Sequence, residues 1–279
     1  MSTMAITAAD VNKLRQITGA GMMDCKQALS EANGDFDAAI DILRKKGQNV
    51  AAKRADRDAS EGQVIGLTTA DNKRGVLVCT NCETDFVAKN ADFAAMANRI
   101  ATIALEKGAD SVDALKAMAY DSNGLTIAEK LIEQTGVIGE KIEVSACHAL
   151  SAEFVYAYNH PGNKVGSLVG LNKAGFADAA KDVAMQVAAM GPIALDKAST
   201  PQSVIDKELE IGKELAIQEG KPADMAEKIA AGRLNKFFKE STLLAQEFIK
   251  DNKLSVEQYL KSVEKDLTVT DFKRHSLTI

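Results

Sequence analysis

The residues most able to do chemistry are few. Cys79-Thr80-Asn81-Cys82 is a C-x-x-C, but one pair supplies half of a structural zinc site and no second pair follows. A redox pair usually opens a helix, whereas this one ends an apolar, strand-like run. The 3 histidines (His148, His160 and His275) are scattered, which gives a His-centred catalytic site little support. No G-x-x-x-x-G-K-[ST] phosphate loop occurs, so direct nucleotide binding is not expected. No catalytic residue, metal site or cofactor is expected, and an enzyme is the weakest class. What remains are residues suited to binding. Met22 and Met23 open a helix after a glycine turn; neighbours in sequence cannot both face inward, and flexible thioethers suit a protein-binding patch. By residue type alone, Thr84-Asp85 reads as a helix cap and Phe86 as a core residue.

The elements that must position these residues follow from periodicity and punctuation. The chain has 279 residues, 46% hydrophobic and 26% charged with a net charge of -5. This is the composition of a globular protein of two or more domains, with no strong grip on nucleic acid. No apolar run approaches the roughly 18 residues of a membrane helix, the N-terminus resembles no leader, and 4 cysteines do not suggest a disulfide scaffold. A cytoplasmic protein is expected, with no membrane partner. Three short helices open the chain. The first has Thr7 as cap, inner residues Val11, Leu14 and Ile17, and an end at Gly19. The second turns Ala28, Leu29 and Ala32 inward. The third carries Phe36, Ala39, Ile40 and Leu43 and should stop at Gly47. An Ala-rich charged segment, Gln48 to Ser60, reads as a solvated helix or linker and leads to a hairpin of Gln63–Thr69 and Gly75–Thr80 around Asp71-Asn72-Lys73-Arg74.

The body repeats a strand-then-helix unit. Phe93-Ala94, Ala97 and Ile100-Ala101 share their spacing with Phe176-Ala177, Ala180 and Val183-Ala184, and an apolar–Ala pair follows each. Strands are expected at Lys141–Leu150 and Glu153–Tyr158. Gln202–Glu219 and Ala223–Glu240, joined by Gly220-Lys221-Pro222, read as an antiparallel helical hairpin with a narrow stripe of Ile205, Leu209, Met225 and Ile229. A helix at Ser255–Val263 and a strand at Leu267–Phe272 close the chain.

Two motifs carry a resemblance. Thr18-Gly19-Ala20-Gly21-Met22-Met23-Asp24-Cys25-Lys26-Gln27-Ala28-Leu29 resembles the N-terminal signature of the elongation factor Ts family, and Asn81-Cys82-Glu83-Thr84-Asp85-Phe86-Val87-Ala88-Lys89 resembles its second signature. The resemblance covers nearly the whole chain. It implies an α+β fold with four parts: a ubiquitin-associated-like three-helix module with its linker (1–55), a core N-subdomain (56–145), a core C-subdomain (146–200 and 241–279), and a protruding coiled-coil hairpin (201–240). It implies guanine nucleotide exchange on elongation factor Tu, as a heterodimer or a 2:2 assembly. Thr84, Asp85, Phe86 and Val87 would dislocate the partner's Mg²⁺. Further partner contacts would fall on Arg15, Met22, Met23, Lys26, Ile138, Gly139, His160, Phe248, Ile249 and Lys250. The chain departs from the family pattern in having Lys250 where the pattern has Met, which puts an apolar contact there in doubt. It also stops after Ile279 where family members often continue into a C-terminal helical module. A rival reading, an adaptor that binds ubiquitin-like folds through the three-helix module, leaves Thr84–Val87 without a task.

Overall fold

The computed structural model describes residues 6–122 and 124–278 and shows a mixed α+β chain in two compact units. One is the chain up to Ile65 with Val78–Cys147; the other is Gly66–Leu77 with His148–Ile279.

The first unit opens with α1 (Ala8–Thr18), α2 (Met22–Glu31) and α3 (Phe36–Lys53). Thr7 Oγ1 accepts the Asp10 N–H at 3.2 Å while the Asp10 carboxylate accepts the Thr7 N–H at 3.0 Å, satisfying two donors that a helix start would otherwise leave unpaired. Val11, Leu14, Cys25, Ala28, Leu29 and Ala39 form a small core. Ile17, expected on the inner face, is 57% exposed. It lies off the stripe set by Val11, Leu14 and the half-buried Thr18.

One further expectation needs correction here. The helix α3 does not stop at Gly47 but runs through it to Lys53. Gly47 is buried against α7 (Ile127–Ile138), and a Cβ on Gly136 would lie 2.5 Å from the Gly47 Cα. The glycine serves a close helix crossing rather than a terminus. The helix α7 itself went unanticipated, although Thr126 and Glu129 form a capping box at its start. Between α3 and α7 lie β1 (Glu61–Thr68), β2 (Arg74–Cys82), α4 (Asp85–Ala88), α5 (Ala91–Lys107) and α6 (Val112–Lys116); β3 (Glu143–Ser151) follows. The strands pair in the order β1-β2-β3.

The second unit contains β4 (Phe154–Asn159), β5 (Val165–Leu171), α8 (Ala177–Met190), α9 (Gln202–Gln218), α10 (Ala223–Ser241), β6 (Glu247–Phe248), β7 (Asp251–Ser255), α11 (Val256–Val263) and β8 (Val269–Ser276). The last strand is displaced towards the C-terminus from the expected Leu267–Phe272, because Leu267 turns into the core ahead of it. The antiparallel sheet β4-β5-β8 is covered by α8, whose Ala180, Val183, Ala184 and Val187 pack in one cluster with Val169, Leu171, Leu243 and Leu260. Ala97, Ile100 and Ala101 of α5 are buried as Ala180, Val183 and Ala184 are in α8; where α5 then has Ile103, α8 has the buried Gln186.

Helices α9 and α10 pack through small residues. A Cβ on Gly212 would come within 3.1 Å of the Ala230 Cα, and Lys213–Glu227 and Arg233–Glu219 pairs flank the contact. Met225, expected in the stripe, is 50% exposed, while Ala216, Ala226 and Ala230 are buried. Close backbone approach leaves room for alanine at the seam and displaces the larger side chain.

Candidate functional site

Thr84–Val87 form a short capped turn directly after β2, with Phe86 the exposed residue among half-buried ones. The strand β2 ends at Cys82, and Thr84 caps the single turn of α4, its hydroxyl accepting the Val87 N–H at 3.4 Å. Phe86 then projects with 83% of its surface exposed, so its ring takes no part in the core. Asp85 accepts from Lys89 Nζ at 2.6 Å one turn later, and this bond raises the Lys89 pKa. Lys89 is exposed and Asp85 half-exposed, so the pair adds little stability. Val87 is half-buried and Ala88 is buried.

Beneath the turn lies a network that the sequence reading missed. Glu140 Oε2 accepts the backbone N–H groups of Glu83 (3.2 Å) and Thr84 (3.0 Å), and its Oε1 accepts the Thr84 hydroxyl at 2.7 Å. In return, Glu83 Oε1 accepts the Lys141 N–H and an Arg54 guanidinium N–H, both at 2.7 Å. The Lys141 N–H, then Arg54, hold the Glu83 carboxyl below the usual range. Glu140 directly follows Ile138 and Gly139, with Gly139 in the left-handed conformation (φ 81°) that ends α7. Two segments that the resemblance assigned to the partner are therefore joined by hydrogen bonds. No local signal points to Glu140; only its pairing with Thr84, 56 residues away, reveals it.

In the three-helix module, Met22 and Met23 are 42% and 74% exposed at the start of α2. Gly21 caps that helix without a side chain. Lys26 stands one turn below Met22, and Arg15 lies in the last turn of α1; both are exposed. Ile17, like the two methionines, is an exposed apolar side chain of the module.

The second unit holds the remaining candidates. His160 is exposed in the β4–β5 turn, its Nδ1 3.0 Å from the Tyr158 hydroxyl. Phe248 is 2% exposed and stacks on Tyr259 with ring centroids 4.0 Å apart. In the free chain β6 turns this ring into the core beneath α8. Ile249 is 43% exposed, and its N–H donates to the buried Gln186 at 2.8 Å. Lys250 reaches the Asp182 carboxylate, which also accepts the Tyr259 hydroxyl at 2.9 Å. Burial, then Asp182, push the Tyr259 hydroxyl up to about 12.

The C-x-x-C pair lies within β2, with both thiols buried and free. Cys82 Sγ donates to the Thr84 carbonyl at 3.2 Å, and Cys79 Sγ to Asn81 Oδ1 at 3.2 Å. Burial pushes their pKa values to about 11 for Cys79 and about 12 for Cys82. They are protonated at neutral pH and serve as packing. No helix among the described residues is long and apolar enough to cross a membrane.

Comparison with known proteins matches residues 83–278 to the family model described as Elongation factor TS. The chain is 56% identical over 274 residues to the elongation factor Ts of Christiangramia forsetii, covering 98% of each protein. It is 53% identical over 274 residues to that of Flavobacterium psychrophilum, again covering 98% of each. Against that of Cytophaga hutchinsonii it is 50% identical over 281 residues, covering 100% of both. The signatures around Met22 and Asp85 and the identity along the chain's length lead to one conclusion: the chain belongs to the elongation factor Ts family.

Proposed function

We propose that the chain performs its family's function with Thr84–Val87 as the wedge. That function is guanine nucleotide exchange on elongation factor Tu. The observation that carries the wedge reading is the Phe86 ring, 83% exposed on a one-turn helix whose stem is hydrogen-bonded on both sides. Moving such a ring from water into an apolar pocket is favourable, so the exposed Phe86 has binding energy to offer a partner. Asp85 beside it brings a carboxylate that can disturb the water and Mg²⁺ shell of a bound nucleotide.

Exchange needs no covalent step. A factor that binds the nucleotide-free partner better than the loaded one weakens nucleotide binding by the same free energy with which nucleotide weakens its own. In this reading Phe86 enters an apolar pocket of the partner, and GDP leaves once its Mg²⁺ is displaced. Met22, Met23, Arg15 and Lys26 hold the partner's nucleotide-binding domain, with Ile138 and Gly139 beside the wedge. His160, Ile249 and Lys250 make contacts from the second unit, with Lys250 contributing charge where the family pattern is apolar. The α9–α10 pair is the coiled-coil arm, and α1–α3 form the ubiquitin-associated-like module. The complex is a cytoplasmic one, a heterodimer or its 2:2 assembly.

The test is stopped-flow release of a fluorescent GDP from elongation factor Tu at fixed Mg²⁺. Strong acceleration by the chain, lost in an Asp85→Ala, Phe86→Ala double variant of unchanged melting temperature, is the expected result. Full acceleration by that variant would sink the wedge.

A further inference from the structure

A wedge transmits force only through a stiff mounting, and α4 has little stiffness of its own. It is a single turn of 4 residues, far below the length at which an isolated helix holds together in water. The exposed Phe86 ring has no core contact to orient it. Its direction must therefore come from the stem, residues 83 and 84.

That stem is gripped reciprocally. The Glu140 side chain takes the N–H groups of Glu83 and Thr84 and the Thr84 hydroxyl (3.2, 3.0 and 2.7 Å), while the Glu83 side chain takes the N–H of Lys141 at 2.7 Å. Because the Thr84 hydroxyl spends its proton on Glu140, its lone pair is turned to the Val87 N–H, the bond that closes the turn under Phe86. Charged acceptors make these bonds stronger than neutral ones. Arg54, the C-cap of α3, adds a third hold by donating to Glu83 at 2.7 Å, in a pair whose side chains are only 33% and 17% exposed. The stem is thus tied both to the end of α7 and to the helix that carries the three-helix module.

We propose that Glu140, with Glu83 and Arg54, is a clasp that holds the wedge in its working orientation, so that Glu140 is a positioning residue for nucleotide exchange. The proposal rests on the wedge reading above. It separates two quantities. The clasp acts after the partner is captured by the wider surface, so losing it should slow GDP release at saturation more than it weakens binding. Pre-organisation lost from a short segment appears in this way when other contacts supply most of the affinity.

The experiment titrates the full chain and its Glu140→Ala and Glu140→Gln variants against elongation factor Tu loaded with fluorescent GDP. The maximal release rate and the half-saturating concentration are read separately. Glu140→Ala should lower the maximal rate about tenfold with less than about threefold change in half-saturation. Glu140→Gln keeps an oxygen for the two N–H groups but sets an NH2 donor opposite the Thr84 hydroxyl, which must then accept instead of donate, and should recover only part of the rate. Amide hydrogen exchange at Phe86 and Val87 should quicken in the alanine variant alone. An unchanged maximal rate in Glu140→Ala, or a loss confined to half-saturation, overturns the clasp. If Glu140→Ala does not fold, Thr84→Val, which deletes only the hydroxyl bonds, takes its place, and a rate within error of the unaltered chain overturns the proposal. The Asp85→Ala, Phe86→Ala variant, run in parallel, separates the two ideas. If it is silent while Glu140→Ala is fully active, the clasp alone fails; if it exchanges normally, the wedge itself fails.

Discussion

Phe86 and Phe248 stand at positions that the family resemblance assigns to the partner, yet their surroundings are opposite. Phe86 is 83% exposed, whereas Phe248 is 2% exposed against Tyr259. Phe86→Ala removes no core contact and should change unfolding free energy by no more than about 0.5 kcal/mol, while exchange drops by tenfold or more, on the order of what a hot-spot aromatic contributes to an interface. Phe248→Ala should cost about 3–5 kcal/mol by opening a cavity beneath α8, and its remaining folded fraction should exchange normally. Urea denaturation beside GDP release separates the two. A Phe248→Ala variant as stable as the parent would contradict the buried stack. Residue type alone could not distinguish these phenylalanines, since both lie in short apolar–polar stretches where either face is permitted.

At the scale of elements, the crossing of α3 and α7 decides how the three-helix module is mounted within the first unit. The crossing is asymmetric. A Cβ on Gly136 would meet the Gly47 Cα at 2.5 Å, whereas a Cβ on Gly47 has nothing nearer than the Ile132 carbonyl oxygen at 3.5 Å. Gly136→Ala should therefore force the helices apart at a cost of about 1–3 kcal/mol. Gly47→Ala fits and should be neutral, or stabilise by up to about 1 kcal/mol through helix propensity. Equal effects of the two substitutions in thermal melts would refute this geometry. The sequence reading treated Gly47 as a stop because a glycine that ends a helix and one that admits a neighbour look alike without the neighbour. The capping box of Thr126 and Glu129, by contrast, is a local signal that marks the start of α7 in the sequence.

For the whole molecule, pH below neutrality acts through two separate windows. In the second unit His148 and His275 have ring centroids 6.1 Å apart. Burial, with Lys273 beside His148 and with His148 and Arg274 beside His275, lowers both from the ordinary 6.5. The fold favours the neutral rings, so their contribution is complete above pH 6.5 and is lost as pH falls below it. Glu83, lowered from 4.5, contributes fully above that value and loses its share only at more acid pH. Urea midpoints should fall between pH 7.5 and pH 5.5, and a His148→Gln, His275→Gln variant should flatten that fall; an unchanged slope would remove the histidines as its source. The sequence by itself determined α1 with its Thr7 cap, the β1–β2 hairpin, the helix–turn–helix around Gly220, and the two motifs that place the chain in its family. Caps, turns and periodicity act over a few residues and leave their mark locally. Only the tertiary structure decided that Phe248 is core, that Gly47 is a crossing point, and that Glu140 grips Thr84 across 56 positions of chain. Each of these depends on what lies opposite, and a carboxylate, a ring or a glycine has no defined role until its neighbour is in place.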